Sequence, residues 1–147
     1  MMTPSDRSNL GSQLGIAARH WRARMDQRLA PLGLTHAKWV PLRYLSYAGG
    51  SLPQRTLVEL TGIEGPSLVR VLDELERRGL VERRDSDADR RTKTVHLTDK
   101  AAPIIGEIVQ RADGLREEVL DGISEEDIAV FRKVLAQISH NLGNLGS

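Results

Sequence analysis

Cysteine is absent from the 147-residue chain. That removes disulfides, thiolate metal sites, cysteine nucleophiles and any thiol-based redox switch, and it fits a reducing compartment. No apolar run approaches the ~18 residues that a membrane span needs. The N-terminal "MMTPSDRSNLGSQLG" lacks an apolar core of signal-peptide length, so a cytoplasmic location is expected. Neither a glycine-rich phosphate loop nor a Ser/His/Asp arrangement is visible. His20, His36, His96 and His140 are scattered, without close metal-ligand spacing. The expectation is a protein that is not an enzyme and carries no metal or cofactor. The acidic pairs Glu117/Glu118 and Glu125/Glu126 read as solvated helix surface.

An apolar content of 39% and a charged content of 28% are those of an ordinary globular chain, not a disordered one. The length suits one domain, or one domain with a helical extension. The formal net charge of +1 hides an uneven distribution. Residues 1–43 carry seven Lys/Arg against two Asp/Glu, a net of +5. Residues 99–147 carry five against nine, a net of −4, and residues 77–93 carry seven against four, a net of +3. A basic segment in a nearly neutral chain points to a focused anion contact, not a uniformly adhesive surface.

Periodicity divides the chain into elements. Leu10, Leu14, Ala17, Ala18, Trp21, Met25 and Leu29 recur at spacings of three and four, so residues 8–30 read as one long helix. "APLGLT" ends it. Thr35 is suited to cap a second helix through about Leu45. Pro41 lies inside that helix and is expected to remove one hydrogen bond and bend the axis. Ser51 and Gln54 have capping-box spacing, with Pro53 in the first turn, so a third helix is expected from there to about Leu60. Glu64 can cap a fourth helix, which ends at Gly79. The pattern then changes: "LVERR" and "TKTVHLT" alternate as two half-buried strands do, joined by residues 85–91. Thr98 can cap a fifth helix carrying Ile104, Ile105, Ile108, Ala112, Leu115 and Val119. Ser124 with Asp127 resembles a capping box at the head of a last helix to about Leu142.

The expected fold is mainly α with a small β-hairpin (α+β), a winged helix-turn-helix flanked by long helices. Residues 1–34 would be an N-terminal dimerisation helix, 35–98 a DNA-binding lobe and 99–147 C-terminal dimerisation helices, in one continuous domain. The apolar stripes of the end helices need a partner. The simplest partner is a second copy, in a two-fold homodimer.

Two segments carry the chemistry. In "GPSLVRVLDELERRG", Leu68, Val71, Leu72 and Leu75 form a buried face, and Pro66, Ser67 and Arg70 project together from another. Small residues and one arginine near the start of a helix let it approach base edges in the major groove of double-stranded DNA. Arg70 suits a bidentate contact to guanine, worth ~1–3 kcal/mol of discrimination, and Ser67 with the helix N-terminus suits phosphate. A packed helix with Arg70 as a solvated charge would leave the same pattern. In "DSDADRRTKTVHLT", Arg90 and Arg91 stand at the tip of the hairpin, where side chains reach farthest. A narrow minor groove favours a weakly hydrated arginine. Asp89 lies two residues before Arg91 and can hold its guanidinium extended, so the spacing favours Arg91 over Arg90 as the groove contact. Arg90 and Lys93 are phosphate candidates, and Asp85 and Asp87 are turn-formers and solubilisers. A merely soluble turn is the alternative.

The run "DRRTKTVHLT" resembles the wing of the MarR family. The likeness continues through "LTHAKWVPL", "LVELTGIEGPSLVRVLDELERRGLVER" and "DKAAPII". It is nearest the SlyA branch, with "LGSQLGIAARHWRARMDQRLAPLGLT" and "ISEEDI" included. The resemblance implies a dimeric winged-helix regulator of pseudo-palindromic promoter DNA, with Ser67 and Arg70 on the recognition helix and Asp89 and Arg91 as the wing's Asp-Arg pair. It also implies a small aromatic carboxylate such as salicylate as effector, held between the dimer helices and the DNA-binding lobe. The matching positions are Arg19, Arg22, Trp39 and Arg43, and His20 can add a polar contact. Trp39 would supply an aromatic wall and an arginine the carboxylate fork; alternatively Trp39 is core and the arginines are solvated or face phosphate. The function expected is a repressor released by such a ligand. A ligand-independent activator that displaces a silencing protein, and a winged-helix protein-interaction module, are the alternatives.

Overall fold

The computed structural model describes residues 7–86 and 92–146. The described residues fall into two compact units, within Met1–Leu115 and within Arg116–Ser147. The first begins with helix α1 (Leu10–Leu29), a 3-10 turn at Ala30–Leu32, and α2 (His36–Tyr47). Strand β1 (Ser51–Pro53), α3 (Gln54–Thr61) and α4 (Gly65–Arg77) follow, then β2 (Val81–Asp85) and β3 (Lys93–Leu97). A 3-10 turn at Asp99–Ala101 leads into α5 (Ala102–Val119). Helix α6 (Glu125–Asn144) belongs to the second unit.

The mainly helical fold with a winged helix-turn-helix is as the periodicity predicts, with one correction. The sheet has three strands in the order β1-β3-β2, all antiparallel, where the alternation predicts a two-stranded hairpin. Ser51–Pro53, whose spacing suits the first turn of a helix, instead pairs with β3 in the register Leu52↔Val95. Pro53 is extended (φ −58°, ψ 141°) and is the N-cap of α3. It sits at the end of an edge strand, where a missing N–H costs no ladder bond.

Other caps also differ in detail. Thr35 and Glu64 precede α2 and α4, yet neither side chain makes a capping hydrogen bond. Thr98 precedes the 3-10 turn, and its hydroxyl donates instead to the Gly79 carbonyl. Ser124 does cap α6, accepting from the Asp127 N–H at 3.1 Å. Pro41 lies buried within a continuous α2.

The core of the first unit is leucine-rich. Leu42 and Leu45 from α2, Leu57 from α3, Leu68, Leu72 and Leu75 from α4 and Val95 from β3 are all fully buried. Met25 and Leu29 continue it from α1, and Ile108 and Leu115 from α5. Among the described residues no polar or charged side chain is fully buried, so the core holds by apolar packing. None of the described helices is long and apolar enough to cross a membrane.

Candidate nucleic-acid interface

A tight turn introduces α4. Gly62 takes φ +70°, a left-handed conformation that favours glycine. The Thr61 hydroxyl donates to the Leu57 carbonyl at 2.6 Å and accepts from the Ile63 N–H at 3.2 Å. Pro66 stands in the first turn of α4, where its missing N–H has no helical partner to lose. Pro66 and Arg70 are exposed, and Ser67 is half-buried. Arg70 Nη2 lies 3.4 Å from Ser67 Oγ. These three predicted positions thus share one accessible face, opposite the buried Leu68, Leu72 and Leu75.

Ion pairs fix this helix against its neighbours. Lys38 on α2 donates to Glu74 at 2.8 Å, and that hydrogen bond holds the Glu74 carboxyl below its usual pKa. Arg78, just past α4, donates to the carbonyls of Gly33 and Leu32 at 3.3 Å each. Arg83 on β2 makes a larger clamp. Its guanidinium donates to Asp73 and, at 3.1 and 2.7 Å, to Glu76 Oε2. Its own N–H reaches Glu76 Oε1 at 3.3 Å. Sequence reasoning missed this clamp, which binds the wing to α4. Two signals could have found it. Asp73 and Glu76 are spaced i, i+3 on one helix face, and strand alternation puts Arg83 on the same side as the buried Val81.

The wing strands pair Arg84 with Thr94 and Asp85 with Lys93. Lys93 Nζ lies 2.6 Å from Asp85 Oδ1. Asp85, expected to be a turn-former and solubiliser, is the ion partner of a predicted phosphate contact. Asp87, Asp89, Arg90 and Arg91, the other predicted residues of the tip, lie outside the described residues.

The five predicted effector residues sit on α1 and α2. Trp39 is 5% exposed, and its indole N–H donates to Asp26 of α1 at 2.8 Å. Arg22 acts electrostatically on His36, which meets Trp39 edge-on at 5.1 Å. Arg22 and Trp39 therefore flank the same α1–α2 junction. Arg43, one turn along α2, donates to the Tyr47 hydroxyl at 2.6 Å and lies over that ring. Arg19 and His20 are exposed on α1. A groove of about 400 Å³ opens at the junction, lined by Asp26, Ala30, Gly33, Leu34, Thr35 and His36, and includes none of the five. Asp26 and Tyr47 carry no signal in the sequence that singles them out. Among the described residues, no group of three His, Asp or Glu side chains is placed to hold a metal ion.

His36 gives the junction a pH dependence. Burial holds its pKa below the ordinary value, Arg22 adds to this, and Asp26 opposes it. Its buried Nδ1 has no hydrogen-bond partner and is 3.9 Å from Asp26 Oδ1. A histidine less basic when folded favours the folded state fully above its unfolded pKa. That contribution is lost as pH falls through the folded value. Urea unfolding in steps downward from about pH 7.5, above the ordinary histidine value, follows the loss over an acid series. His36→Gln is expected to lose less stability across it than the unmodified protein. Equal losses would mean that His36 contributes nothing to the acid sensitivity.

Known proteins share this architecture. The MarR family model matches residues 32–92. The solved transcriptional regulator PA3341 is 43% identical, over 91% of this chain and 98% of its own, with a TM-score of 0.86. A MarR family transcriptional regulator from Silicibacter pomeroyi is 27% identical over 91% of this chain and 88% of its own, with a TM-score of 0.77. A mutant MarR from E. coli complexed with operator DNA is 24% identical over 88% of this chain and 92% of its own, and shares the fold with a TM-score of 0.76.

Proposed function

The chain belongs to the MarR family of transcriptional regulators, and from that premise we propose that it binds double-stranded, pseudo-palindromic operator DNA as a homodimer. The observation that carries this reading is the exposed face of α4. Pro66 and Arg70 are exposed there with Ser67 between them, behind a glycine turn, and Arg83 ties the wing to the same helix. Helix α6 supports the dimer: it buries no residue of its own and exposes Val130, Phe131, Val134, Leu135 and Leu142. An apolar face of that extent needs a partner. In a two-fold pair, two α4 helices would address half-sites ~34–36 Å apart. Arg91 enters the minor groove beside each, oriented by Asp89, and Arg90 and Lys93 hold phosphates.

The regulator is a repressor of the SlyA branch, released by a small aromatic carboxylate that Arg19, His20, Arg22, Trp39 and Arg43 receive. Support comes from the α1–α2 junction, where Arg22 and Trp39 flank a contact between the first helix and the DNA-binding lobe. A ligand there can shift the lobe only by binding one arrangement more tightly than the other.

A mobility-shift titration against the DNA upstream of the protein's own gene, repeated over a salt series, tests the reading. Affinity is expected to fall steeply with salt as counterions are released; a flat response would reject DNA as the partner. Salicylate is expected to weaken the complex, and a combined Arg19, Arg22, Trp39 and Arg43 variant to lose that response. A response unchanged in the variant would move the effector site elsewhere.

A further inference from the structure

Three Lys/Arg side chains stand on the described wing strands, and each is met by carboxylates. Arg83 is held by Asp73 and Glu76. Arg84 donates to both oxygens of Glu82, at 3.2 and 3.3 Å. Lys93 meets Asp85 at 2.6 Å. The pairs differ in kind. Arg83 is 21% exposed and joins two elements. Lys93 and Asp85 are 54% and 60% exposed, and Arg84 and Glu82 are 56% and 55% exposed. Exposed pairs of that type add little to stability, so folding does not explain why Arg84 and Lys93, the exposed cations among the described residues of the wing strands, are already matched by acids. Asp85 and Lys93 are register partners across the ladder. The carboxylate therefore lies at the ammonium group that a phosphate would have to reach.

We propose that Asp85 is a specificity-determining residue. Its carboxylate occupies Lys93 and withholds that cation from DNA that does not hold the protein in register. Glu82 does the same for Arg84. The inference rests on the DNA-binding reading above.

Two arrangements of DNA compete differently with the carboxylate. Binding to arbitrary sequence is almost wholly electrostatic and loosely placed, so its phosphates approach Lys93 through water. A water-separated phosphate does not displace a carboxylate in direct contact at 2.6 Å. On the operator, matching base contacts from α4 select one register, and the phosphate contacts made in that register hold the duplex there. A phosphate then sits within direct reach of Lys93, where a charge-assisted hydrogen bond can replace the one to Asp85. The acid thus subtracts more from binding to arbitrary DNA than from binding to the operator, and widens the ratio between them.

The test uses the full chain and two duplexes of equal length, one selected by the unmodified protein from a random library and one a scrambled version. Fluorescence anisotropy over a salt series gives the affinities of the unmodified protein, Asp85→Asn, Lys93→Gln and the double variant. Asp85→Asn is expected to bind the scrambled duplex about tenfold tighter, about threefold from each of two wings. The selected duplex should gain less, so the selected-to-scrambled ratio falls. The slope of log affinity against log salt for the scrambled duplex should steepen by about one per wing. In the Lys93→Gln background most of the Asp85→Asn gain should vanish. Unchanged affinity for the scrambled duplex, an unchanged ratio, or a full gain without Lys93 would each overturn the inference. If the unmodified protein selects no duplex, the DNA-binding reading fails and this inference with it. If it selects one and Asp85→Asn behaves identically, the inference fails alone.

Discussion

Arg70→Ala is expected to weaken operator binding by about a hundredfold while leaving the folded protein intact. A bidentate arginine–guanine contact is worth ~1–3 kcal/mol. In a two-fold complex it is made twice. At about 1.4 kcal/mol per half-site, near the low end, the product is about two orders of magnitude. Little opposes this on the stability side. Arg70 is exposed, and its hydrogen bond to Ser67 is long at 3.4 Å. Removing it should change unfolding by less than about 0.5 kcal/mol. Arg91→Ala is expected to act in the same direction from the wing, again without lowering stability. Affinity at physiological salt, thermal unfolding and binding to single-base variants of the operator separate the possibilities. If Arg70 reads a base, its removal relaxes discrimination at one base pair per half-site. If it holds a phosphate, its removal weakens all sequences alike and lowers the salt slope by about one per copy. Near-unmodified affinity would remove the face of α4 from the interface altogether.

That α4 can be read from sequence, while its anchoring cannot, follows from the range of the forces involved. Leu68, Val71, Leu72 and Leu75 repeat at helical spacing, and Gly62 and Gly79 both take positive φ, +70° and +76°, at its two ends. These are local signals, and the structure places the helix between them at Gly65–Arg77. Strand β1 is set by pairing across more than forty residues, Leu52 with Val95. Within its own three residues, Ser51, Leu52 and Pro53 imitate a helix start, because capping-box spacing and a first-turn proline are features that an edge strand followed by a helix can also have. Trp39 shows the other limit. Its place on α2 is legible, but not that its buried indole donates its N–H to Asp26 of α1. No local pattern couples a tryptophan to a carboxylate thirteen residues earlier across a turn. The Arg83 clamp lies between these cases: alternation points the side chain inward, yet only the packing of β2 on α4 supplies Asp73 and Glu76.

The core beneath that helix sets the second large effect. Leu72→Ala is expected to destabilise the protein by about 2–5 kcal/mol. Leu72 is fully buried, and so are Leu68 and Leu75 on either side of it. Helix α4 packs on α2, α3 and β2, so the space vacated by the side chain is bounded by three separate elements. All three are tied to α4 or to the turn that leads into it: α2 through Lys38–Glu74, β2 through Arg83 and its partners Asp73 and Glu76, and α3 through the Thr61 turn. Elements restrained in this way relax only partly into a cavity, which puts the cost above that of lost transfer energy alone. Against a total of about 5–15 kcal/mol for a domain, the loss is a large share. Urea denaturation should show a lower midpoint with an unchanged slope. The molecules that remain folded should bind operator with unchanged affinity, because Leu72 faces away from Ser67 and Arg70. A loss below about 1 kcal/mol would mean that α4 closes the cavity by moving. In that case operator affinity should fall as well, since the same movement would carry Arg70 off its base pair.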